Sequence, residues 1–231
     1  MLFRSFLKVI REFQPDYIAA TFDTPQPTFR HKEFSEYKIK RPPTPEELFE
    51  QIPKVKKVLE EFGIPIFEKE GFEADDLIGT IAKLAPRKQI IPEIETIILS
   101  GDLDLLQLID KNTKVYTFKK GLKDTILYDE KMVKERYEIT PAQLIDFKAL
   151  RGDPSDNIPG VTGIGEKTAI QLIKDFGSLE NLYQEMEDYY PPTTLPPEGR
   201  APKTDKSKEI KPAIKEKLIN IKTKPFLVRL Y

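Results

Sequence analysis

The chain has no cysteine and no tryptophan, a single histidine, and no uncharged apolar run long enough to span a bilayer. Each absence closes off some chemistry. Without cysteine there are no disulfides, no thiolate zinc sites and no cysteine nucleophile, which fits a reducing compartment. With one histidine, neither a Ser/His/Asp set nor a multi-histidine metal site can be assembled around it, and His31 has no histidine partner. Any metal site must therefore be built from carboxylates, and oxygen-only ligation points to Mg²⁺ or Mn²⁺. The 231 residues carry 37 Lys and Arg against 38 Asp and Glu, a net charge of −1. That balance excludes a generally basic nucleic-acid binder but not a basic patch beside an acidic site. The first ten residues interrupt their apolar pattern with Arg4 and Lys8, so no signal peptide is expected.

What is present is an alternation of helical and strand-like segments. Leu2, Phe3, Phe6, Leu7, Ile10 and Phe13 recur at helical spacing and predict an amphipathic helix ended by Pro15-Asp16. The apolar run 17–22 predicts a buried parallel strand that ends at Asp23. Residues 24–45 read as irregular, punctuated by five prolines around a basic-aromatic segment with Arg30, Tyr37, Lys38 and Arg41. Two readings of it stand: a solvated loop, or a cover that holds phosphates while Tyr37 stacks on a base. A helix is expected over 45–62, a short strand over 64–67, and a helix opening at Glu73-Ala74-Asp75-Asp76. Acids in a first turn suit the helix dipole, yet three of them in four positions exceed what capping needs. Ile94–Leu99 reads as the best buried strand and runs into Asp102 and Asp104. Capping of the next helix would explain one of these acids but not both.

A hairpin over Val115–Phe118 and Thr125–Leu127 follows, then helices over 130–137 and 141–151. Asp153 and Asp156 stand where the second of these ends. A Gly-rich loop with Gly163 and Gly165 then opens a helix near Lys167, a phosphate-binding arrangement when its backbone N–H groups are free. The alternative is an ordinary turn. A further helix is expected over 179–183, a flexible insertion over about 185–209, and a helix over 210–221. In an α/β sheet, strand C-termini share one edge. Asp23, Glu73, Asp75, Asp76, Asp102, Asp104, Asp153 and Asp156 are therefore metal-site candidates, because carboxylates gathered at one place repel unless cations lie between them.

Four stretches, FDTPQPTFRHKEFSEYKIKR at 22–41, EGFEADD at 70–76, LSGDLDLLQL at 99–108 and ALRGDPSDNIPGVTGIGEKTA at 149–169, resemble the bacterial 5′→3′ exonuclease domain, the nuclease part of DNA polymerase I and a branch of the flap-endonuclease superfamily. The likeness covers roughly residues 3–184 and returns at KPAIKEKL, 211–218. It implies an α/β, PIN-like nuclease with a mostly parallel sheet, a helical arch and a helix–three-turn–helix module. The implied division is a nuclease core over 1–140 that includes the arch at 24–45, and a DNA-binding region over 141–231. It also implies hydrolysis of phosphodiesters near DNA 5′ ends, flaps and nicks, or in RNA–DNA hybrids, for primer removal and repair by a monomer in the bacterial cytoplasm. The cofactors implied are two Mg²⁺ or Mn²⁺ ions on the eight acids and K⁺ at the hairpin. Lys38 and Arg41 are implied at the scissile phosphate, and Arg30, Tyr37, Lys38, Arg41, Gly163, Gly165 and Lys167 on DNA.

The chain departs from that pattern in three ways. Nothing precedes the helix at 1–13, where the family has an apolar strand ending in Asp-Gly-Ser, so a truncated core short of one ligand Asp is expected. Leu103 stands where the family has Lys. The Pro/Lys-rich stretch at about 185–209 is inserted. These departures support the alternative of a catalytically impaired DNA-binding remnant.

Overall fold

The computed structural model describes residues 2–85, 94–118, 124–189, 210 and 212–222. The expected loop tip of the hairpin, most of the expected insertion and the C-terminal tail lie outside the described residues. The chain divides into two compact units. The first takes in Met1–Ser35 and Lys40–Glu130, the second Glu36–Ile39 and Lys131–Tyr231. Among the described residues no helix is long and apolar enough to cross a membrane.

The first unit opens with α1 (Leu2–Phe13), the helix that the apolar spacing predicts. It packs through Phe13, whose ring meets Tyr116 edge-on at 5.0 Å, while the Tyr116 hydroxyl donates to Glu12 at 2.7 Å. A parallel pair follows, β1 (Ala20–Thr21) with β2 (Ile66–Phe67). The expected strand over 17–22 is reduced to its last residues, since Tyr17 stands in solvent and β1 is only half-buried. Between these strands come α2 (Phe29–Glu33), α3 (Glu46–Phe49) and α4 (Ile52–Glu61). One helix was expected over 45–62. Pro53 explains the break, because it has no N–H to give the Phe49 carbonyl and its ring would collide with that group.

Helix α5 (Ala74–Leu84) packs against β1, against β3 (Thr96–Leu99) and against a 3-10 segment at Leu103–Leu108. Strand β3 pairs in parallel with β4 (Thr113–Phe118), and β4 pairs antiparallel with β5 (Thr125–Tyr128), as the hairpin reading required. The buried centre is β4 rather than β3. Val115 is fully buried and Tyr116 nearly so, whereas Leu99 of β3 is 38% exposed. A strand hydrogen-bonded on both sides has neither edge in water, and each large side chain it buries contributes about 1.5–3 kcal/mol.

The second unit is helical. It contains α6 (Glu130–Tyr137), a 3-10 turn at Pro141–Gln143 that leads into α7 (Leu144–Arg151), α8 (Glu166–Phe176), α9 (Leu179–Tyr189) and α10 (Pro212–Lys222). Helix α9 is longer than expected, so residues 185–189 are helical rather than part of an insertion. Its start is fixed by Asp146 of α7, which accepts the Leu179 N–H at 3.1 Å. Burial pushes the Asp146 carboxyl above its ordinary range. Between α7 and α8 lies a minute antiparallel pair, β6 (Gly152–Asp153) with β7 (Ile158–Pro159). Gly152, at φ +81°, lies so close to the Gly160 backbone that a Cβ on either glycine would collide with the other strand's main chain.

Candidate functional site

In the first unit the acids gather around the start of α5. Asp23, just beyond β1, accepts the Ala74 backbone N–H on Oδ1 at 2.7 Å, which joins a strand end to a helix start. Beside it the Thr24 hydroxyl is buried without a hydrogen-bond partner. Glu73 is the N-cap residue of α5, and its own N–H donates to Asp76 Oδ2 at 2.8 Å. Asp76 also receives a two-pronged contact from Arg30 of α2, with Nη1 and Nη2 each at 2.8 Å. The guanidinium lies 4.0 Å from Glu73 Oε2 and 4.5 Å from the centre of the Phe29 ring. Arg30 was expected on DNA phosphates; in this structure it neutralises the first turn of α5. Asp75 is half-buried in that same turn.

At the end of β3, Asp102 caps the 3-10 segment and accepts the Asp104 N–H at 2.8 Å. Capping therefore accounts for Asp102. The Asp104 carboxylate beside it is half-buried. Because α5 packs on β1, β3 and the 3-10 segment, it brings the three acid-bearing stretches of this unit to one helix.

The second unit holds Asp153 and Asp156, both 8% exposed. Asp153 is held by Lys148 at 2.8 Å and by the Ser155 backbone N–H at 2.9 Å, with the Ser155 hydroxyl also donating to it. Burial alone would raise this carboxyl, but the Lys148 and Ser155 contacts outweigh it and lower the pKa to about 2. The sequence reading missed Lys148; five residues before Asp153, on the last turn of α7, it can reach past the helix end. Asp156 accepts from the Tyr37 hydroxyl at 3.2 Å, and its backbone carbonyl accepts the Lys38 N–H at 2.8 Å. The Lys38 ammonium lies 4.0 Å from the same carboxylate and 4.8 Å from the Tyr37 ring centre. Asn157 donates to the Glu36 carbonyl at 2.9 Å. Tyr37, expected as an open stacking platform, is 4% exposed and buried among these contacts. Arg41 is exposed.

Beyond β7 the chain turns through Gly163, at φ +76°, where the left-handed backbone favours glycine. The Val161 and Ile164 side chains are buried, Val161 N–H donates to Leu150 O, and Ile164 N–H donates to Val161 O, each at 2.8 Å. Gly165 is the N-cap residue of α8, so Glu166 and Lys167 occupy its first turn. Both are exposed.

The donor set is all carboxylate oxygen and chemically suits a hard divalent cation. Among the described residues, however, no three candidate ligands converge into a group that could hold a metal ion. Several of these carboxylates are instead committed to N–H groups, Arg30 or Lys148.

Comparison with known proteins gives a consistent picture. A family model described as the 5′-3′ exonuclease N-terminal resolvase-like domain matches residues 1–138, and one described as the 5′-3′ exonuclease C-terminal SAM fold matches residues 139–230. DNA polymerase I of Bacillus caldotenax is 44% identical over 181 residues, which is 78% of this chain and 20% of that polymerase. A 5′-3′ exonuclease of Mycoplasma pneumoniae is 43% identical over 176 residues, 76% of this chain and 59% of that protein. The chain thus spans a fifth of the polymerase and under two thirds of the exonuclease. In fold it is similar to the flap endonuclease of bacteriophage T5, solved as a pseudo-enzyme-product complex with DNA and metal ions. The TM-score is 0.68 at 23% identity, over 98% of this chain and 76% of that one. The PIN-like α/β expectation agrees with this likeness.

Proposed function

We infer the function from kinship, since the chain belongs to the 5′-3′ exonuclease family. That membership makes it one of a family of hydrolytic nucleases. Our reading is a divalent-metal-dependent enzyme that cleaves phosphodiesters near DNA 5′ ends, flaps and nicks, in primer removal and repair. RNA–DNA hybrids are a further substrate, and the enzyme acts as a monomer in the bacterial cytoplasm. The observation that carries this reading is the gathering of acid-bearing stretches on α5, with Asp23 hydrogen-bonded to the helix start.

We assign Asp23, Asp75, Asp102 and Asp104 as the core ligands of the first unit and Asp156 as that of the second. Glu73, Asp76 and Asp153 act directly or through water. Two Mg²⁺ or Mn²⁺ ions would supply charge neutralisation and an acidified water. Asp23 and Asp102 each accept an N–H on Oδ1, which leaves their other carboxylate oxygen to face an ion. Lys38 and Arg41 are assigned to the phosphate that is cut, and Tyr37 to the base beside it once it leaves Asp156. Gly163, Gly165 and Lys167 are assigned to the duplex backbone, where the N–H groups opening α8 suit a phosphate. For the K⁺ expected at this hairpin, the observation that bears on it is the Lys217 ammonium, 3.5 Å from the Gly163 carbonyl oxygen.

A second reading, a DNA binder with impaired catalysis, draws on the commitment of Asp76 to Arg30 and of Asp153 to Lys148. One assay separates the two: a 5′-labelled flap substrate incubated with the folded chain in Mg²⁺ or Mn²⁺. Release of short 5′ products that chelator abolishes supports the nuclease. Binding without release in Mn²⁺ leaves the impaired binder.

A further inference from the structure

At the Gly163 turn, where the resemblance implies K⁺, a cation of the chain itself already approaches the carbonyl oxygen. Lys217 of α10 points its ammonium at the Gly163 carbonyl oxygen, 3.5 Å away. A Cβ on Gly163 would run into that same ammonium. The next residue, Leu218, is completely buried, and its carbonyl accepts from the Tyr183 hydroxyl of α9 at 3.4 Å. Helix α10 thus touches the second unit through Leu218, one residue from the lysine that approaches the turn. An ammonium is a compact point charge. Two unit charges within about 4 Å repel enough to weaken binding of the second roughly fivefold in water, and more where water is partly excluded.

We propose that Lys217 is a tethered cation: it supplies to the Gly163 turn the positive charge that a free monovalent ion would otherwise bring, and thereby holds the turn and the start of α8 in the form that grips a DNA backbone. Lys217 is a positioning residue on this account, acting through the Gly163 carbonyl. The proposal rests on the DNA-binding role assigned above to Gly163, Gly165 and Lys167. Its consequence is that duplex binding by this chain does not depend on which monovalent cation is in solution.

The test is binding of a fluorescein-labelled flap duplex to the full chain in chelator, in KCl, NaCl and tetramethylammonium chloride at equal ionic strength. The intact chain should give the same Kd in all three salts within about twofold. Lys217→Met, which keeps most of the stem without the charge, should bind about tenfold more weakly in tetramethylammonium and recover in K⁺. Lys217→Arg should retain the indifference of the parent. A parent chain that binds more tightly in K⁺ would overturn the proposal. So would equal loss by Lys217→Met in every salt, the mark of an ordinary phosphate contact, or no loss in any. If Lys217→Met fails to fold by circular dichroism, the parent salt series still decides, since a K⁺ preference there refutes the tethered charge. No duplex binding by the parent in any salt refutes the DNA-binding reading itself, and this inference with it.

Discussion

Asp153, assigned above to the metal site, is held in this structure by Lys148 and Ser155. The acid was legible in the sequence; its burial and the reach of Lys148 around the end of α7 were not, since both depend on how the chain turns at Gly152. With its pKa lowered to about 2 in the folded chain against 3.8 ordinarily, Asp153 binds fewer protons folded than unfolded. Its contribution is therefore fully present above the unfolded value and is lost as pH falls toward 2. For a group this well buried it amounts to about 2 kcal/mol. Urea melts between pH 5 and 2 should show that loss. Lys148→Met should cost about 2–3 kcal/mol at neutral pH and flatten the acid limb, because it leaves a buried carboxylate without its cation. An unchanged acid limb in that variant would contradict the assignment. Asp146 works in the opposite sense. Burial raises its carboxyl, so its contribution is present at low pH and falls as pH rises through its raised value.

At the level of elements, local signals were read well and competition between them was not. Amphipathic spacing was enough for α1, and the two runs at 115–118 and 125–127 were enough for the β4–β5 ribbon. The long helix over 45–62 failed at Pro53, a local signal outweighed in the reading by the apolar stripe around it. The rank of strands failed because burial in a sheet is set by neighbours: among the described residues β4 has a partner on each side, while β3 has one. The β6–β7 pair was missed altogether, since two residues per strand carry no periodicity. Only the glycines mark it. Gly152 and Gly160 pass back to back, so Gly160→Ala would drive a methyl group into the Arg151–Gly152 main chain. That variant should lose more than about 2 kcal/mol in urea melts. Gly101→Ala, where a Cβ meets open space, should change stability by under about 1 kcal/mol. Equal tolerance of both would refute the close approach.

At the scale of the whole molecule, the acids around α5 and the glycine turn before α8 belong to different compact units. Substitutions in the two should therefore separate cutting from gripping. Asp104→Asn removes a charge from the candidate metal site while leaving the second unit untouched, so product release in Mn²⁺ should fall by about a hundredfold or more with the duplex Kd unchanged. Lys167→Ala removes one cation from the first turn of α8. It should weaken duplex binding uniformly across sequences and reduce the slope of log Kd against log salt by about 1. At saturating enzyme the rate of release should stay near that of the parent. The chain's net charge of −1 sharpens this expectation, because a molecule without a general positive field must draw its salt dependence from a few local cations. A salt slope unmoved by Lys167→Ala would place the DNA contact elsewhere. If Asp104→Asn instead lost binding and cleavage together, the acids and the turn would have to be read as one indivisible site.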